Sequence, residues 1–301
     1  MTLARAKDDA NAIRLFAAEF EPEFLRLQSA KTTVESSHLA TIGRFGSDNE
    51  TPSRLLFGHD FAEVNRTLIS MLALKWLLAG DYKRFTGCQC NASKLTLDSF
   101  SKLRNFFLER LHDTDVISSV LVVTVINDIG KDPNLADEIE RNTDTSDLNH
   151  DEVAFFAAKM GILPSLEKFP RNQREDILLG LDFGSKCNIA QLAQGENVPG
   201  SLKAVHKFQS HERGFNIKIM ETLLDVAGAG AHVDARCCTQ MTEPVFQSYM
   251  AAIDALNDFI HGKISSEREC YDCVLTTRAI LLRQKGFEHL SIEIEEERAL
   301  L

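Results

Sequence analysis

Two short stretches hold side chains able to bind a cation or move a proton: Asn127-Asp128-Ile129-Gly130-Lys131 and Asn149-His150-Asp151-Glu152. The first closes the most apolar run of the chain, Val116 to Ile129, interrupted by Ser118, Ser119, Thr124, Asn127 and Asp128. A carboxylate in the last turn of a helix opposes the helix dipole. A cation beside Asp128 offsets that cost, and it has two sources: a bound metal ion, or Lys131. The second stretch reads as an N-cap followed by Glu at the third helical position, a capping box. That role leaves His150 free to ligate a metal. A third group, Ser210-His211-Glu212-Arg213-Gly214, opens a helix that runs to Gly228. His211 and Arg213 are candidates to face an anionic substrate; the alternative is a polar helix start. His232 and Asp234 lie past the far end of that helix, roughly 25 Å from His211 at 1.5 Å rise per residue, so the two groups serve different places.

Other chemistries have little in the sequence to carry them. There is no Gly-x-Ser-x-Gly elbow, and no phosphate loop or dinucleotide fingerprint follows a strand. Gly228-Ala229-Gly230 reads as a helix stop. Cys270 and Cys273 form a CxxC, Cys88 and Cys90 a CxC, and Cys237 and Cys238 are adjacent. A structural zinc site takes two neighbouring pairs. These pairs are far apart in the chain, so the seven cysteines are expected as reduced, unpaired thiols of a cytoplasmic protein.

The elements that must position these residues are helical. Leu68, Ile69, Leu72, Trp76 and Ala79 repeat at three and four residues, with Gly80 as a stop. Val245, Tyr249, Ile253, Leu256 and Ile260 repeat likewise, with Thr242 as N-cap and Pro244 in the first turn. Asn216, Ile219, Met220, Leu223, Leu224 and Ala227 mark another face. Phe106, Phe107, Leu108 and Leu111 mark a further helix, and Ile177, Leu178 and Leu181 a shorter one. Val120 to Ile126 is β-branched but has no partner run, which fits a central helix buried on all sides. The chain therefore reads as all-α, a single multi-helix domain of roughly nine to twelve helices. Residues 1–53 hold an N-terminal helix and a weakly ordered segment, Ser29 to Ser53; residues 54–301 hold the helical domain. Lys131 to His150 also reads as a loop. With 44 acidic against 33 basic residues, the chain is not expected to grip nucleic-acid backbone. No secretory signal or membrane-spanning run is expected. The sequence says nothing of oligomeric state.

Asn127-Asp128-Ile129-Gly130-Lys131 resembles the signature of the HD-domain superfamily, in which a buried helix ends in His-Asp-[Ile/Leu]-Gly-Lys. Asn149-His150-Asp151-Glu152-Val153 is similar to the Gly-His-Asp-Glu-Tyr segment of the myo-inositol oxygenases, di-iron members of that superfamily. The resemblance spans about residues 100–185. It implies an HD-like helical core with Asp128 bridging metals and His150 as a ligand. Asn127 stands where the family has His. The superfamily's upstream His has no counterpart between Ser99 and Leu108, and the oxygenase-type second His has none near Phe183. The final Asp ligand is Asp225 or Asp234. A set of Asp128, His150 and Asp151 is oxygen-rich, which suits Mg²⁺ or Mn²⁺ better than iron.

The expected function is a metal-dependent hydrolase or oxygenase acting on a small phosphorylated or polyhydroxylated substrate. Lys131 and Asp151 are the catalytic candidates, Lys131 neutralising substrate charge. The missing histidines motivate an alternative, an HD-like binding module without metal. A third reading is a terpene-synthase-like lyase acting on a prenyl diphosphate. Asn127-Asp128 matches the start of that family's second metal motif, but Lys131 and Leu135 stand where it needs Ser/Thr and Glu.

Overall fold

Ten helices of ten residues or more, and six shorter ones, make up the described part of the chain. The computed structural model describes residues 8–31, 41–46, 49–143 and 145–301. In chain order the helices are α1 (Asp9–Glu19), α2 (Glu21–Leu27), α3 (Pro52–Phe57), α4 (Ala62–Ala79), α5 (Tyr82–Thr86), α6 (Leu97–Arg110), α7 (Thr114–Ile126) and α8 (Pro133–Thr143). There follow α9 (His150–Lys159), α10 (Pro164–Glu167), α11 (Arg171–Gly184), α12 (Ile189–Gln194), α13 (Glu212–Gly228), α14 (Glu243–Ile260), α15 (Glu267–Gln284) and α16 (Glu295–Arg298). Tighter 3₁₀ turns span Ile129–Lys131, Pro199–Ser210 and Ala229–His232. The fold is all-α. Among the described residues the one β-type pairing is an isolated bridge between Ile42 and Asp234.

At the centre, α13 packs on α4, α7 and α11. α7 is buried nearly all round, from Ser119 to Ile126, so its β-branched residues satisfy a core helix rather than a strand. α4 ends at Gly80, whose φ of 67° is the left-handed conformation that stops a helix at little cost in glycine. One apolar cluster runs from Ala12 to Val274 and takes in Ile13 and Phe16 of α1 and Phe24 and Leu27 of α2. α1 is further fixed by Asp9, which accepts hydrogen bonds from Lys75 Nζ at 2.7 Å, Arg84 Nη1 at 2.8 Å and Trp76 Nε1 at 3.2 Å.

Several details differ from the sequence expectation. Lys131 to His150 is not a loop throughout, because α8 occupies Pro133–Thr143. Its apolar seam consists of Leu135 and Ile139, one turn apart and both buried, too short to stand out. α11 is longer than expected, at 14 residues. Thr242 precedes α14 but makes no side-chain cap hydrogen bond. Of Ser29–Ser53, residues 32–40 and 47–48 lie outside the described residues. The rest includes Ile42, which exchanges backbone hydrogen bonds with Val233 and Ala235, and Thr51, which caps α3. The cysteines are not all unpaired: Cys88 and Cys237 form a disulfide. It joins the turn after α5 to the loop before α14. Their sequence separation of 149 gave no pairing signal.

Candidate functional site

Asp128 follows the end of α7 and is only 6% exposed. Lys131 Nζ lies 2.8 Å from its Oδ1 and donates to Glu63 Oε2 of α4 at 3.1 Å. Arg66 Nη1 donates to both Glu63 oxygens, at 2.9 and 3.1 Å. Burial alone would push the Asp128 carboxyl up. The Lys131 and Arg66 cations outweigh it and hold Asp128 at about 2. One of the two cation sources open in the sequence, Lys131, is thus in place beside Asp128.

α13 supplies the opposite wall. Lys218, Glu221 and Asp225 recur at three and four residues and so share one face. Lys218 Nζ donates to Glu221 Oε2 at 2.6 Å and reaches Asn127 Oδ1 at 3.5 Å, the outer limit of a hydrogen bond. Glu221 is 1% exposed, and its other oxygen, Oε1, has no hydrogen-bond partner. Burial pushes the Glu221 carboxyl up; Lys218 opposes this, Asp225 and Asp128 add to it, and the result is about 7. Burial and the neighbouring Asp128 charge likewise raise Asp225 to about 6, against Arg66, Lys131 and Lys218. Arg66 Nε also lacks a partner. Unpaired buried polar atoms are costly in a fold, and two of those in the described residues belong to side chains on this cleft.

The third wall is the start of α9. Asn149 Oδ1 accepts from the Asp151 and Glu152 backbone N–H groups at 3.0 Å, and Glu152 Oε2 accepts from Asn149 N at 2.9 Å. The capping box is therefore formed, and it fixes His150 at the first turn. The His150 ring sits at the rim, with its side chain 44% exposed. Gly130 lets the two stretches meet, since a Cβ there would overlap the His150 carbonyl oxygen. Gly184 of α11 makes room for Lys218 in the same way: a Cβ at Gly184 would stand 3.2 Å from Lys218 Nζ.

These walls enclose a cleft of about 290 Å³, closed by Cys187 and Asn188 before α12 and by Tyr249 of α14. Asn127, Asp128, Lys131, His150, Asp151 and Asp225 all line it. Asp234 does not. It is held by Arg236 at 2.7 Å, beside Ile42. His211 and Arg213 also lie elsewhere: His211 lines a depression with Phe155 and Asp182, and Arg213 lines another with Arg110 and His112. Arg66, Glu63, Lys218 and Glu221 are the members that the sequence reading missed. Their signal was charge at three-residue spacing inside otherwise buried helices.

The residues do not fit a divalent ion. Among the described residues no three His, Cys, Asp or Glu side chains are grouped to hold a metal, and three cationic side chains share the cleft. The class defined by fold and site is thus an all-α protein with a charged cleft of small-molecule size. The chain matches DUF6829, a family of unknown function, across residues 13–301, and it belongs to that family. No curated protein and no solved structure matches it. Among the described residues no helix is long and apolar enough to cross a membrane.

Proposed function

We propose that this cleft binds a small phosphorylated or polyhydroxylated molecule and carries out a proton transfer on it, within an HD-like arrangement of helices. The observation that supports this reading is convergence. Asn127, Asp128, Lys131, His150 and Asp151, singled out by the two sequence stretches, line one cleft together with Asp225, more than seventy residues on. Two residues that line it, Glu221 and Arg66, each keep a buried polar atom without a hydrogen-bond partner. Glu221, held at about 7, is poised to take a proton near neutral pH and return it. Lys131 and Lys218 lie where they stabilise negative charge developing on the ligand oxygen. No step runs through a metal ion, since the donor set does not fit one.

One observation favours a second reading, a binding module without turnover: Lys131 and Lys218 each already have an internal carboxylate partner. The lyase reading draws no support from so polar a cleft. Calorimetric titration with glucose and with glucose 6-phosphate, followed by mass spectrometry of the incubated mixtures, tests the proposal. Binding that is lost in Lys131→Met supports the site, and chemical change in the probe separates enzyme from binding module. Absence of binding by both probes, or binding indifferent to Lys131→Met, contradicts the proposal.

A further inference from the structure

The charged groups of the cleft are unevenly satisfied. Arg66, Lys131 and Lys218 line it, and each already has a carboxylate partner. Arg66 donates to both oxygens of Glu63, Lys131 reaches Asp128 and Glu63, and Lys218 donates to Glu221 at 2.6 Å. Two carboxylates on the same walls have no such cation. Asp225 lines the cleft from α13, and among the described residues its oxygens accept no hydrogen bond and form no ion pair. The side chain is only half-buried, so it stays open to the cleft. Asp151 has only the His150 ring, 3.7 Å away, beyond hydrogen-bond reach. Buried and half-buried carboxylates normally find a donor inside the fold.

We propose that the cleft selects a cationic ligand, a small polyol carrying a protonated amine, whose ammonium group sits on the Asp225 carboxylate. This rests on the cleft being the functional site and narrows the polyhydroxylated class named for it. Asp128, Asp151, Glu221 and Asp225 line the cleft against Arg66, Lys131 and Lys218, so the charged positions left open are acceptors. A phosphate group would have to displace a carboxylate from a cation that already holds it. An ammonium meets a free acceptor directly. It needs hydrogen-bond acceptors at about 2.7–2.9 Å and no closed set of ligands, so one open carboxylate can hold it. Burial and the neighbouring Asp128 charge raise Asp225 to about 6, which leaves it ionised at neutral pH beside a like charge. A ligand cation there supplies the missing partner and offsets that repulsion.

Calorimetric titration at neutral pH with sorbitol, glucamine and sorbitol 6-phosphate tests the proposal. The three probes present the same run of hydroxyls with no added charge, an ammonium and a phosphate in turn. Glucamine is expected to bind at least about tenfold tighter than sorbitol, the margin of one hydrogen bond between charged groups, and sorbitol 6-phosphate no tighter than sorbitol. Asp225→Asn keeps the shape of the side chain and removes its charge. It breaks no internal bond, so the variant should melt no lower than wild type. It should lose the glucamine margin while binding sorbitol as before. Asp225→Ser, smaller and equally uncharged, is the second variant should the amide not be accommodated, and the same loss is expected. Equal affinity for sorbitol and glucamine, tighter binding of the phosphate, or a glucamine margin that survives in the folded variant overturns the inference and leaves the cleft as a polyol or phosphate site. Absence of binding by all three probes overturns the proposed function itself, and this inference with it.

Discussion

Replacing Glu221 by Gln should alter how stability depends on pH. The substitution keeps an oxygen for Lys218 Nζ to donate to and removes the charge. In the folded protein Glu221 is held at about 7 against an ordinary 4.5. That difference corresponds to about 3 kcal/mol at 1.36 kcal/mol per pH unit. The sign follows from linkage. Between the two values the folded protein binds the proton and the unfolded chain does not, so stability falls as pH rises through this window and the loss is complete above about 7. The variant lacks this loss. The groups that face Glu221 from the walls of the cleft are Lys218 and Asp225 on α13, Asp128 and Lys131 after α7, Arg66 on α4, His150 and Asp151 on α9, and Tyr249 on α14; burial sets its value, with Lys218 opposing and Asp225 and Asp128 adding. Asp128, at about 2, titrates well below the window. Asp225, at about 6, ionises more easily once Glu221 is neutral, which reinforces the effect. Urea unfolding of both proteins from about pH 5 to about pH 8 should show the gap moving in favour of Glu221→Gln by up to about 3 kcal/mol. Parallel curves, or a gap that moves the other way, would refute the assignment of Glu221 as a buried carboxyl short of partners.

Two further substitutions probe the frame of the site. Gly130→Val places a side chain against the His150 carbonyl and should cost about 1–3 kcal/mol by overpacking, read as a lower urea midpoint, with weaker probe binding as the α9 wall is displaced. Cys88→Ser opens a covalent loop of 149 residues, which the chain-entropy relation values at up to about 5 kcal/mol. The wild type should therefore melt lower with reductant, and the variant should be indifferent to it.

The parts of the fold that were legible in the sequence are those with long periodic apolar faces. α4, α13 and α14 each repeat at three and four residues, with their glycine stops or first-turn proline where the structure ends or begins them, and α7 shows as an apolar run buried nearly all round. α8 was not legible because Leu135 and Ile139 alone make its buried seam. The Cys88–Cys237 link was not legible because loop closure over such a distance leaves no local mark. The site divides in the same way. Asp128 stood out because a carboxylate ending an apolar helix needs a partner, and Lys131 was already in view. Lys218 and Glu221 did not stand out, since a charged stripe on a helix usually faces solvent, and Asp225 was in view only through the family resemblance. Only packing shows that this stripe faces inward across from Asp128. His211 and Arg213, at the start of the same helix, line two different depressions away from this cleft.

The central claim is that the cleft between the end of α7, the start of α9 and the charged face of α13 is where this protein binds a small polar molecule. A crystal structure with a sugar or sugar-phosphate probe bound is its most direct measurement. The account predicts density for the probe within hydrogen-bonding distance of Lys131 and of Asp128 or His150. A probe seated instead beside His211 or Arg213, with this cleft unchanged, would contradict it.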